Sequence, residues 1–368
     1  MKIALDAYHA ARPHGGVARY VRGLASAMFA SGGGHEYVLF SNRFRESVDE
    51  WDPDLDLVST AKLNAPRRLM QNAWDHLSWP PIEYWTGDID IYHGMHFVLP
   101  AVKNAKCVLT VHDLTYLRHP ELFVDKQLNV QGYLKELPQA LKRADAVIAV
   151  SESTKRDLVD LMGVPAERVR VIHEGVEPHF FLHGSGDEQQ AVLARYGLNR
   201  PYMFFLVGAP EPRKNLERTV RAAFHAAPDI PVAVVGPELE IRKLLGPMAS
   251  HVHFLGSVPD VDLPILLHCA EIALYPSLYE GFGLPILESM AAGVPVITSN
   301  ISSCPEVIGD AGILVDPRQE DEISAAILDL IGDESRRNEL CKAGVVRAST
   351  FSWQHAASEV LQLYEQVR

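Results

Sequence analysis

Two glutamates and two adjacent cations are the residues of this chain best suited to chemistry. Glu280 and Glu288 stand eight residues apart in Glu280-Gly-Phe-Gly-Leu-Pro-Ile-Leu-Glu288. Arg213 and Lys214 stand side by side in Val207-Gly-Ala-Pro-Glu-Pro-Arg-Lys-Asn-Leu216. Carboxylates accept hydrogen bonds from hydroxyl groups, and paired cations neutralise a diphosphate, Arg as a fork and Lys as a point charge. The glycine turn before Leu284 opens onto a helix, whose first amides can hold an anion. Amides and cations for phosphate, with carboxylates for hydroxyls, are what a sugar nucleotide requires.

The surrounding elements must place these groups. Ile272-Ala-Leu-Tyr reads as a strand, and Pro285 suits the first position of a helix. Gly293 and Pro295 end that helix. This puts Glu280 in the loop and Glu288 in the first helical turn. In the second run a strand ends at Gly208 and a helix begins near Asn215, so Arg213 and Lys214 lie at the carboxyl edge of a strand. After the first strand, Ile3-Ala-Leu, comes Arg12-Pro-His-Gly15-Gly16-Val-Ala-Arg-Tyr20. Two glycines before a helix permit close approach by a ligand, and Arg19 faces either the ligand or solvent. Leu109-Thr-Val-His112-Asp113 ends another strand in a histidine that can shape a sugar pocket, move a proton or simply orient its loop. His96, after a further strand, is a lesser candidate on the acceptor side.

The stretch from Glu280, continued after Glu288 as Ser-Met-Ala-Ala-Gly-Val-Pro-Val-Ile, resembles the signature of family 4 glycosyltransferases. The resemblance implies that Glu288 binds the nucleotide ribose. It implies that Glu280, with the amides of Gly281, Phe282, Gly283 and Leu284, holds the donor sugar. Lys214 and Arg213 are expected to stabilise the leaving diphosphate. Gly15 and Gly16 are expected at the pyrophosphate, His112 near the reacting face of the sugar, and Ser257 and Val258 at the base. Many members carry an Arg directly after the strand glycine, where this chain has Ala209. The run Glu-Pro-Arg-Lys-Asn instead resembles a branch of bacterial mannosyltransferases of polysaccharide and O-antigen assembly.

What the resemblance implies is a retaining transfer of a hexose, with GDP-mannose as first donor, to a glycan or lipid-linked acceptor. Front-face displacement is expected, with no metal or other cofactor. The implied fold class is α/β of the GT-B kind, two facing Rossmann-like doubly wound domains with a central cleft. Residues 1–180 would form the acceptor side and 181–350 would bind the nucleotide sugar. Residues 351–368 would form a helix packing back on the first domain. Two rivals stay open: a sugar-nucleotide epimerase of the same architecture, and a non-catalytic subunit that only binds sugar nucleotides.

The chain as a whole agrees with such a reading. Its 368 residues favour two domains over one core, and 47% apolar content with 22% charge describes an ordinary soluble protein. No stretch reaches the ~20 apolar residues of a membrane span. Met-Lys-Ile-Ala-Leu-Asp reads as a strand, not a signal peptide. Cys107, Cys269, Cys304 and Cys341 are scattered, which suits buried thiols in a reducing cytoplasm. Residues 1–180 hold 20 Lys/Arg against 23 Asp/Glu, and residues 181–368 hold 14 against 24, giving −3 and −10 of the total −13. This argues against a nucleic-acid partner. It leaves the milder first half to meet an acidic acceptor or, peripherally, the cytoplasmic face of a membrane.

Strands are expected at 3–5, 37–40, 57–58, 89–92, 108–111 and 146–150, then at 202–207, 232–235, 252–255, 272–275, 294–297 and 312–315. Helices are expected at 17–30, 67–78, 124–143 and 152–162. Such alternation implies parallel sheets covered on both faces, with ligands at the carboxyl ends of strands. The polar stretch 183–190 reads as a linker or domain start. Asp88-Ile-Asp90 has the spacing of a metal-binding pair but opens a strand with both carboxylates toward solvent, and Asp52, Asp54 and Asp56 are loop-like. Trp74, Trp79 and Trp85 lie near Arg67 and Arg68. They read first as a helix burying its aromatics and second as a surface for a sugar or a lipid headgroup.

Overall fold

The computed structural model describes residues 1–10, 15–42, 58–122, 127–208 and 211–368. Arg12, the run 52–56, Leu57 and Ala209 fall outside them. The chain divides into two compact units, Met1–Gly175 with Ser352–Arg368, and Val176–Phe351.

Short apolar runs build both units. The first holds β1 (Lys2–Asp6), β2 (Glu36–Asn42), β3 (Val58–Leu63), β4 (Ile91–Gly94), β5 (Lys106–Val111), β6 (Ala146–Ala149) and β7 (Val169–Val171). They lie in the order β3-β2-β1-β4-β5-β6-β7, and every pairing is parallel. The second holds β8 (Met203–Leu206), β9 (Val232–Val235), β10 (Val252–Gly256), β11 (Ile272–Tyr275), β12 (Val296–Ser299) and β13 (Ile313–Val315). Their order is β10-β9-β8-β11-β12-β13, again wholly parallel. Central strands carry apolar residues at successive positions because helices cover both faces; Ile3, Ala4 and Leu5 are all fully buried.

Each strand order reverses once, between β1 and β4 and between β8 and β11. Connections leave such a point in opposite directions, and the loops part to form a crevice at the carboxyl ends. In the second unit the loops bearing Lys214 and Glu280 leave from β8 and β11. In the first, the loops bearing Gly15 and His96 leave from β1 and β4.

Some elements differ from expectation. β7 was not foreseen, since three residues with an exposed Arg170 in the middle leave no pattern. β4 starts at Ile91, so Asp88 and Asp90 precede it. The Asp90 carboxylate accepts the Lys2 amide at 2.8 Å, which ties it to β1. The polar stretch at 183–190 is not a linker: a helix spans Gly186–Arg195, opened by a capping box between Ser185 and Glu188. Trp74 is buried, and its indole N–H donates to the Pro80 carbonyl at 2.9 Å.

The terminal helix Trp353–Val367 packs on the helix Gly16–Ala30. Gly23 and Gly175 leave no room for a Cβ against Trp353. A buried polar chain crosses this contact. The Tyr364 hydroxyl lies 2.6 Å from His93 Nδ1, His93 Nε2 lies 2.7 Å from Thr110 Oγ1, and the Tyr20 hydroxyl lies 2.9 Å from the same Oγ1. Burial, and then the neighbouring His112, push His93 down to about 3, so its ring is neutral.

Candidate active site

β8 ends at Leu206, and a tight turn Pro212–Lys214 precedes the helix Leu216–Ala226. Asn215 joins them in the left-handed region, at φ 58°. Its side-chain amide donates to the carbonyls of Pro276 at 2.9 Å and Pro317 at 2.7 Å. The Leu278 amide donates back to the Arg213 carbonyl at 2.7 Å. The turn after β8 is thereby fastened to the loop after β11.

This fastening brings three charged groups together. Arg213 Nη1 donates to Glu280 Oε2 at 2.8 Å, and Lys214 Nζ donates to Glu280 Oε1 at 2.7 Å. Arg213 Nε also donates to Glu211 at 2.6 Å. Burial alone would raise the Glu280 carboxyl, but Lys214 and Arg213 outweigh it and hold Glu280 down at about 2. Lys214 is pushed below its ordinary value by burial and by Arg213, against the pull of Glu280. Both oxygens of Glu280, expected to meet sugar hydroxyls, hold cations here.

The loop itself is pinned from β12. The Glu280 amide donates to Ser302 Oγ at 3.0 Å, and Ser303 Oγ bonds the carbonyls of Glu280 and Phe282 at 2.9 and 2.7 Å. Gly281 and Phe282 are buried within it. Gly283 takes φ +113°, which favours glycine, and caps the helix Leu284–Ala291. Because Gly283 is the cap, Leu284 is the first helical residue and Pro285 the second. Glu288 therefore lies in the second turn, not the first as expected from sequence, and is 4% exposed. Ser257, exposed, and Val258, buried, follow the edge strand β10.

In the first unit Gly15, at φ +119°, precedes Gly16 at the start of the helix after β1, and both are exposed. His112 directly follows β5. Its Nε2 donates to the Met95 carbonyl at 3.0 Å, and its Nδ1 lies 3.2 Å from a carboxylate oxygen of the buried Glu174. The Tyr20 ring stands edge-on to it at 4.7 Å. Sequence reading missed Glu174, Ser302 and Ser303, which act across 62, 22 and 23 residues and leave no local signal. Glu211 and Asn215 stood inside a motif already singled out. Among the described residues no three or more His, Cys, Asp or Glu gather as a metal site.

Comparison with known proteins bears directly on this arrangement. Residues 14–180 match the family described as Glycosyltransferase Family 4, and residues 189–346 match Glycosyl transferases group 1. The O-antigen chain mannosyltransferase B of Escherichia coli is 34% identical over 286 residues, covering 75% of this chain and 74% of that protein. The chain belongs to glycosyltransferase family 4. Solved structures extend the likeness of this glycosyltransferase to its whole fold. Sucrose-phosphate synthase from Thermosynechococcus elongatus superposes with a TM-score of 0.78 at 23% identity, over 100% of this chain and 98% of that one. HepE from Anabaena, solved with UDP and glucose, gives 0.76 at 18% identity over 100% of both. The family 4 glycosyltransferase thus has the expected fold class, GT-B, with two parallel-sheet α/β units.

Proposed function

We propose that this glycosyltransferase moves a mannosyl residue from GDP-mannose, with retention and without a metal, to a glycan or lipid-linked acceptor. The observation that carries the reading is the cluster of the buried Glu280 with the half-buried Arg213 and Lys214 at the β8/β11 crevice. Glycosyl transfer builds negative charge on a departing diphosphate. Cations already fixed in a dry setting stabilise that charge without reorganising. Glu280 takes one of the three protons of Lys214 Nζ, and the others suit phosphate oxygens. With both of its oxygens held by cations, Glu280 is poorly placed as a covalent nucleophile. That favours front-face displacement, in which the departing phosphate accepts the acceptor's proton. Glu288 is assigned to the ribose and His112 to the sugar. The choice of mannose rests on the Escherichia coli relative and on the run Glu-Pro-Arg-Lys-Asn.

A lipid-linked acceptor would be met at the cytoplasmic membrane face. Among the described residues no helix is long and apolar enough to cross a membrane. Leu69, Leu77, Trp79 and Tyr84 are 58–71% exposed in and between two neighbouring helices, and Arg68 is exposed beside them. These side chains support peripheral association.

The test is incubation of the purified protein with GDP-mannose, UDP-glucose or UDP-galactose and a mannose-terminated glycan, in excess EDTA. The expected product is an α-mannoside formed from GDP-mannose alone. Transfer from a UDP-sugar only, or a complete loss in EDTA restored by magnesium, overturns the donor or the metal assignment respectively. Epimerised sugar nucleotide formed without acceptor would mark the rival enzyme class.

A further inference from the structure

Both ring nitrogens of His112 face acceptor oxygens. Nε2 lies 3.0 Å from the Met95 carbonyl, and Nδ1 lies 3.2 Å from Glu174 Oε1. A neutral imidazole carries one N–H and one bare lone pair. The Met95 carbonyl has no hydrogen to give, so Nε2 holds the N–H. Nδ1 would then turn its lone pair on a carboxylate oxygen, and two acceptors at that distance repel. The contact is attractive only with a second hydrogen in it. That hydrogen makes either an imidazolium beside a carboxylate or a neutral ring beside a carboxylic acid. In both forms His112 and Glu174 hold one proton more than a neutral ring and an ionised carboxylate do.

The setting gives that proton its weight. The side chains of His112 and Glu174 are 13% and 5% exposed, so the repulsion left by its loss is poorly screened. The backbone here is fastened independently of it. Thr154 Oγ1 donates to the His112 carbonyl at 3.2 Å, and the Tyr133 hydroxyl donates to the Asp113 carbonyl at 2.6 Å. What Glu174 controls is therefore the rotation of the ring. The titratable groups around the pair do not replace it. Burial raises the Tyr20 hydroxyl, edge-on to the ring, far above its ordinary value, and does the same to Tyr364 behind His93. His93, from β4, is neutral. The His96 ring, in the loop after β4, lies 6.2 Å away between centroids. Asp113 Oδ1 accepts from the amide and hydroxyl of Thr115 at 2.9 and 2.8 Å.

We propose that Glu174 is a positioning residue for the transfer: it shares a proton with His112 and so locks the imidazole, with Nε2–H on Met95, in its working orientation. Alkaline solution removes the shared proton. The lone pair and the carboxylate then repel, the ring turns, and transfer slows. The inference rests on the proposed assignment of His112 to the sugar.

Two substitutions separate the shared proton from mere packing. Glu174→Gln can give an amide N–H to the bare Nδ1 of a neutral ring, so it keeps the orientation without the extra proton. Glu174→Leu keeps neither. The full chain is assayed with GDP-mannose and a mannose-terminated glycan from about pH 6 to about pH 9, the range around histidine titration. Wild-type kcat should fall on the alkaline side by about tenfold per pH unit, the slope for one lost proton. Glu174→Gln should keep at least about a third of the wild-type optimum and lose that alkaline fall, whereas Glu174→Leu should drop at least about tenfold throughout. NMR of the same proteins labelled with [15N]histidine, free of substrates, follows the ring directly, with its signals assigned through His112→Gln. The ring should release its second proton at least about one pH unit lower in Glu174→Gln than in wild type, a tenfold loss of proton affinity, with Nε2 protonated in both. Should Glu174→Leu fail to fold, as judged by circular dichroism, Glu174→Gln decides. An alkaline fall absent from wild type or kept in Glu174→Gln, equal kcat in the two folded variants, or the same ring titration in wild type and Glu174→Gln overturns the inference. The titration difference in a protein that turns over no nucleotide sugar would defeat the proposed function and leave the shared proton standing.

Discussion

Glu280 carries two cations in a nearly dry setting, its side chain 10% exposed. Removing one member of a buried pair leaves an uncompensated charge, typically at a cost of ~3–5 kcal/mol. Glu280→Gln should therefore lower stability in urea by about that amount. Lys214→Met, which leaves Arg213 in place as partner, should cost less. The pH dependence has a definite sign. Glu280 titrates at about 2 in the folded protein against an ordinary 4.5, so its contribution is fully present above pH 4.5 and is lost as pH falls toward 2. Urea titrations of wild type and Glu280→Gln should converge over that window, and a constant gap would remove the ion-pair account. Glu288 offers a separate check. Glu288→Gln should weaken nucleoside diphosphate binding by about 1–3 kcal/mol in calorimetry, the range for a hydrogen bond to a charged group; unchanged affinity would take the ribose away from it.

At the scale of elements, the loop from Glu280 to Gly283 keeps its shape through one backbone conformation and two serines. A Cβ on Gly283 would sit at φ +113° and 3.0 Å from Ile286 Cδ1. Gly283→Ala should cost about 1–3 kcal/mol in strain. That is a fall in melting temperature of roughly 2–4 °C per kcal/mol for a unit of this size, and an unchanged melting temperature would show the cap to be adaptable. The strand–loop–helix order here was readable from Ile272-Ala-Leu-Tyr, the glycines and Pro285. Each half of the charged cluster was readable too, as cations after one strand and a carboxylate after another. Their union was not. Glu280 meets Lys214 across 66 residues, and only the reversal of strand order between β8 and β11 makes those loops neighbours. Local spacing carries no information about strand order, so the carboxylate was assigned to hydroxyls and the cations to phosphate as if they acted apart. β7 escaped for a simpler reason, since three residues are too few to show a period.

At the scale of the molecule, the two units should answer acid in different pH ranges. His93 lies in the first unit among Tyr364, Thr110, Tyr20 and His112, with Glu174 beyond His112. Its folded value of about 3 lies far below the ordinary 6.5. Below pH 6.5 the unfolded chain binds a proton there that the folded chain refuses until about pH 3. Stability of the first unit therefore falls as pH drops through that range, by at most ~1.4 kcal/mol per pH unit from this group. Glu280, in the second unit, begins to lose its contribution only below 4.5. The sequence supplies a selective probe. All five tryptophans, Trp51, Trp74, Trp79, Trp85 and Trp353, fall within 1–175 or 352–368. Urea unfolding followed by tryptophan fluorescence should show a midpoint that declines steadily between pH 6.5 and 4.5. His93→Gln keeps groups able to bond Tyr364 and Thr110 but does not titrate, so its midpoint should be lower at pH 7 yet nearly flat across the same range. The slope, not the absolute stability, carries the test. A variant whose midpoint still declines with the wild-type slope would show that another group senses acid in this unit, and that the buried chain from Tyr364 to Tyr20 serves packing alone.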